Sequence, residues 1–135
     1  MATKRRTILA LAFFGSFLTV GLPYWQIQYS QVSLPHAVWG LPLIVVVVLA
    51  ALPRLMSAAG FWRTTLVVGA SVPAAVFARV VYDTLSDPTS HNLWPFEIVL
   101  AAGPGFAAAF AGAISGKLLA WATIPAGRRD SRPDQ

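Results

Sequence analysis

Six ionisable side chains in this chain are of types that do chemistry: His36, Arg79, Asp83, Asp87, His91 and Glu97. Histidines and carboxylates ligate divalent metals and shuttle protons. An arginine inside an apolar stretch is a functional candidate by default, because its charge is costly in hydrocarbon. Asp83 follows Arg79 by four residues and so shares its helical face. The spacing predicts an Arg79 that snorkels outward and pairs with Asp83. The histidines recur in one pattern, His36-Ala37-Val38-Trp39 and His91-Asn92-Leu93-Trp94, each at the start of an apolar run. In a helix that spacing sets each His over its Trp. If the chain is a duplicated helical hairpin, the two histidines take matching positions about a pseudo-twofold axis along the membrane normal. That arrangement would be a metal or redox site. The competing account is that each Trp marks the membrane interface and the His is only its polar neighbour. No His-Glu-x-x-His spacing fixes a metal. Neither metal nor cofactor is named by the residues, and no catalytic residue is assigned. With no cysteine in the chain, thiolate ligands and disulfides are excluded.

A second set of residues carries packing rather than reactivity. Gly112 and Gly116 form a G-x-x-x-G, and Ala101, Gly105, Ala109 and Ala113 make a parallel row at four-residue spacing. Small residues let helix backbones approach closely, which is how membrane helices associate. This face serves either self-association and docking of a partner or packing within the chain. Pro73 and the Gly103-Pro104-Gly105 triplet fall near the middle of two apolar runs, at depths where transporters break their helices to bind substrate.

The elements that must hold these residues follow from composition. Of 135 residues, 56% are hydrophobic and 11% charged, and the mean hydropathy is +0.64. So little charge leaves a water-facing surface uncovered, so the apolar excess faces lipid. Four apolar runs, about 7–22, 38–52, 64–82 and 95–121, predict an all-α integral membrane four-helix bundle occupying 1–125 as one domain. A polar tail, 126–135, follows. The first run has a basic start like a signal peptide, but no small-x-small cleavage site precedes Pro23, which predicts a retained span. The segment 23–35 reads as a loop at the headgroup level, carrying Tyr24 and Trp25.

Charge sets the orientation. Lys4, Arg5, Arg6, Arg54, Arg63, Lys117, Arg128, Arg129 and Arg132 fall on one side of the four-span arrangement, with only Arg79 toward the other. This bias puts both termini in the cytoplasm and the six ionisable candidates near the outer surface. All five tryptophans fall near span boundaries, as an aromatic belt requires. The third run is marginal. Its eight apolar insertion residues supply about 2.5–5 kcal/mol, against roughly 2.5–3.5 kcal/mol for a central Arg79 and a further penalty for Pro73. That span is expected to depend on its neighbours.

The basic residues lie at span ends without an interleaved aromatic patch, so nucleic acid is not the expected partner. The partners implied are the lipid bilayer, other membrane subunits, and a second copy through span four. The expected function is a non-catalytic accessory or assembly subunit of a larger complex in a bacterial-type plasma (inner) membrane. Two other readings stand beside it: a small homo-oligomeric channel or transporter, and the outward-facing His/carboxylate site.

Overall fold

The computed structural model describes residues 2–28, 36, 39–88 and 93–123. The tail 126–135 and His91 lie outside the described residues. The elements are α1 (Ala2–Gln26), α2 (Leu41–Leu55), α3 (Phe61–Gly69), α4 (Ser71–Ser86) and α5 (Trp94–Ala122). Among the described residues there is no strand. α3 and α4 are two parts of one 26-residue span, Phe61–Ser86. The join at Ala70 precedes Pro73, which has no N–H for the Gly69 carbonyl. The Ser71 hydroxyl binds the Val68 carbonyl at 2.6 Å across the same step. The chain is therefore an all-helical four-helix bundle.

Three of the four helices, α1, α3–α4 and α5, are long and apolar enough to cross a membrane. The second is shorter than a full span. At 15 residues α2 extends about 22 Å, against about 30 Å of hydrocarbon. It starts three residues later than the apolar run. Gly40 has φ +91° and breaks the backbone there, and Pro42 lies in the first turn, where a missing N–H costs nothing. Pro53 does not stop it; the helix closes at Leu55. α5 runs unbroken through Gly103, Pro104 and Gly105 rather than being interrupted there, since neighbouring helices sustain a proline in a membrane helix.

The bundle is inverted relative to a soluble one. On α1, Leu11, Phe14, Leu18 and Leu22 face outward, while Ala12, Ser16 and Val20 are buried. On α5, Val99, Leu100, Phe110, Ile114 and Leu118 are exposed, and Ala101, Gly105, Ala109, Gly112, Ala113 and Gly116 are buried. Large apolar side chains outside and small or hydroxylated ones inside suit a lipid solvent. Lipid gives no reason to hide a leucine, and small residues allow close helix approach. The marginal third span is the most enclosed. Its hydrophobic window is 56% buried, against 33% for α1 and for α5.

α2 packs on α5 more extensively than any other pair of elements. Gly112 and Gly116 make this possible. A Cβ at Gly112 would fall onto the Val47 carbonyl, and one at Gly116 onto the Ala51 carbonyl. Gly105 lies against Val72 and the Gly69 carbonyl. The small-residue face of α5 is thus occupied by the chain's own helices. Beside Pro73 and Pro104, α5 and the α3–α4 span meet by close approach.

Candidate functional site

Arg79 is 7% exposed, on α4, and faces α1 rather than snorkelling to the surface. Its Nη1 donates to the Tyr24 carbonyl and its Nη2 to the Ile27 carbonyl. Its Nε donates to Asp83 Oδ2 at 3.2 Å, the i,i+4 ion pair expected from spacing. The guanidinium carbon lies 4.9 Å from the centroid of the Tyr24 ring, a cation–π distance. The physical reason is the end of α1. A helix C-terminus leaves its last carbonyls without amide partners and carries the negative end of the helix dipole. A planar guanidinium offers five donors in a fixed fork, enough for two carbonyls and a carboxylate together.

Trp25 reinforces this joint. Its indole Nε1 donates to the Ala75 carbonyl on α4 at 2.9 Å, and its ring meets Phe17 edge-on at 5.4 Å. Tyr24 and Trp25 therefore belong to α1 and its contact with α4, not to a headgroup-level loop. α1 carries Pro23 within its last turns and continues to Gln26. Gly21 leaves room for the indole, since a Cβ there would come within 2.6 Å of the ring. The other four tryptophans, Trp39, Trp62, Trp94 and Trp121, are exposed near helix ends as a belt requires. Replacing Trp25 by Phe keeps the ring and removes one interhelical hydrogen bond. It is expected to destabilise the bundle by about 0.5–1.5 kcal/mol in mixed-micelle unfolding; unchanged stability would show that the indole bond contributes nothing.

A cleft of about 360 Å³ opens beside this joint, lined by Trp25, Ala78, Arg79, Tyr82 and Asp83. Of the other described candidates, His36, Asp87 and Glu97, none lines it. Asp87 caps α4 in extended backbone, and its N–H reaches the Asp83 carbonyl at 2.8 Å. Glu97 sits in the first turn of α5, where the positive helix end favours a carboxylate. His36 is exposed, and its carbonyl accepts the Trp39 N–H at 3.1 Å. Among the described residues no group of three or more His, Cys, Asp or Glu could hold a metal ion. The pairing of His36 with His91 cannot be placed, since His91 lies outside those residues.

At the opposite end lies a site whose residues served, in the sequence, only to orient the chain. Arg5 and Arg6 from α1, Arg54 from α2, Arg63 from α3 and Lys117 from α5 line one cleft of about 760 Å³. Individually each cation is an ordinary span-end residue. Their convergence follows from how the four helices pack and from the turn 56–60, neither of which spacing along the chain encodes. The chain matches no protein-family model, no curated protein and no solved structure.

Proposed function

We propose that this protein is a non-catalytic accessory or assembly subunit of a larger membrane complex, held in a bacterial-type plasma membrane with its basic end in the cytoplasm. The observation that supports this reading is where the buried polar chemistry is directed. The guanidinium of Arg79 and the indole of Trp25 both bind backbone carbonyls of a neighbouring helix. Groups spent on fixing helix against helix suit a scaffold, which presents an outer surface to partners and keeps its own shape. The backbone approach of Gly105 to Val72 and Gly69 weighs against a substrate path between the mid-span prolines.

The test is purification from native membranes in mild detergent, with mass spectrometry of what co-migrates. A complex of defined membrane partners is the expected outcome. Solute movement across liposomes by the purified protein alone, or turnover of a substrate by it, would sink the proposal.

A further inference from the structure

The cleft at the basic end carries charge that topology alone does not ask for. The positive-inside rule counts cations on one side of a membrane; it does not bring them to one place. Here five cations from four elements face one volume of about 760 Å³, within the roughly 300–1,000 Å³ typical of small-molecule sites. The remaining lining is Ala2, Leu9, Ser57, Ala58, Ala59, Gly60 and Ala120, with no carboxylate. Of the five acidic residues in the chain, Asp83, Asp87 and Glu97 belong to the other end of the bundle, and Asp130 and Asp134 share the tail with three arginines. Like charges gathered in this way repel one another, and a bound anion offsets that repulsion.

Two further features point the same way. The 25-residue α1 and the nine-residue α3 both begin at this cleft, and neither has an acidic residue in its first turn. Gly60, at the start of α3, provides no side-chain cap, so the first N–H groups of that helix keep their capacity to bind an anion. Arg54 is held in the wall. Its Nη1 donates to the Ala59 carbonyl at 2.8 Å, while its Nε is buried and has no partner. The turn between them is folded on itself, with Ala58 N–H on the Pro53 carbonyl at 2.7 Å and Ser57 in left-handed backbone at φ +51°. The arginine is thus positioned in advance, and does not sweep through solvent.

We infer that this cleft binds a phosphate-bearing anion at the headgroup depth of the membrane. Arginine forks and helix N-termini are the two protein features that match phosphate oxygens best. Trp62 and Trp121, both exposed and at the same end, mark the depth of the interface. Basic pockets between membrane helices at this depth take anionic lipid headgroups. The same chemistry also fits a soluble phosphate.

The experiment is native mass spectrometry of the full-length protein in neutral detergent, titrated in separate arms. The arms are an anionic phospholipid, a zwitterionic phospholipid with the same acyl chains, and inorganic phosphate. Anionic lipid is expected to be retained selectively, and R54Q/R63Q/K117Q to weaken it roughly a hundredfold. Because that variant also removes topology signals, A120E is made beside it. Ala120 lines the cleft, and a glutamate there adds negative charge without touching the basic residues that set orientation. A120E is expected to weaken binding as well, whereas T84E, the same charge change at an exposed position on α4 at the opposite end of the bundle, is expected to leave it unchanged. Variant-sensitive binding of inorganic phosphate, with no lipid selectivity, supports the site and assigns it to a soluble phosphate. Equal retention of both lipids without phosphate binding overturns the inference, as does a loss in T84E as large as that in the cleft variants.

Discussion

Arg79→Leu is expected to destabilise the bundle by about 3–5 kcal/mol, from losing two charge-assisted hydrogen bonds to backbone carbonyls at roughly 1.5–3 kcal/mol each. The sign of this effect is what makes it informative. Considered span by span, the substitution is favourable: it removes a charged residue, which would cost roughly 2.5–3.5 kcal/mol at mid-membrane and less near the edge, and supplies an apolar one. An arginine that merely snorkelled would be lost without harm. In the bundle, however, its loss takes the guanidinium from the Tyr24 and Ile27 carbonyls, leaves Tyr24 only the 3.3 Å bond from the Ile27 N–H, and loosens the joint between α1 and α4. Arg79→Lys is expected to fall between wild type and Arg79→Leu, because an ammonium keeps the charge at the helix end but lacks the planar fork. The measurement is equilibrium unfolding in mixed micelles, followed by circular dichroism. An Arg79→Leu protein as stable as wild type would refute the clasp.

The second large effect lies on the other side of the bundle. Gly112→Ala and Gly116→Ala each add one methyl group where backbone already stands, at the Val47 and Ala51 carbonyls. Overpacking of this kind costs typically about 1–3 kcal/mol per site, and the pair together is expected to separate α2 from α5. The control is Gly103→Ala. Nothing lies within 4 Å of a Cβ at Gly103, and alanine is the better helix former by roughly 0.5–1 kcal/mol, so this variant should be neutral or slightly stabilised. The same set separates the two uses of a small-residue face. If Gly112 and Gly116 joined two copies of the chain, their substitution would change the oligomeric state in detergent and leave the protomer's unfolding untouched. With α2 already on that face, the protomer itself is expected to lose stability.

Much of the architecture was legible in the residues. The inverted pattern of small and large side chains on α5 is visible as the rows Ala101, Gly105, Ala109, Ala113 and Gly112, Gly116, and both rows are buried. The Arg79–Asp83 pair followed from i,i+4 spacing alone. The third span, which carries Arg79 and Pro73, is also more enclosed than α1 or α5, with 56% of its apolar window buried against 33% for each. Other features were misplaced for identifiable reasons. Pro23 was taken to end α1, but near a helix C-terminus it removes only one hydrogen bond, and Tyr24 and Trp25 continue the packed stripe. Trp25, assigned to the interfacial belt, turns inward because Gly21 leaves space for its ring. Val38 and Trp39 extend the second apolar run, whereas the backbone at Gly40 starts the helix at Leu41.

By itself the sequence determined the solvent of this protein, the number of its helices and which faces are small. These depend on composition and local periodicity, which any sufficiently long window reports. Only the tertiary structure decided what Arg79 binds, which helix takes the glycine row of α5, and that five span-end cations share one cleft. Each of those joins residues distant in the chain: Tyr24 with Arg79, Val47 with Gly112, and Arg5 with Lys117 around one cleft. Such contacts are set by how rigid helices cross and by where their unpaired carbonyl and amide ends come to lie. No spacing along the chain specifies that, because in lipid the helices form first and choose neighbours by the fit of their surfaces.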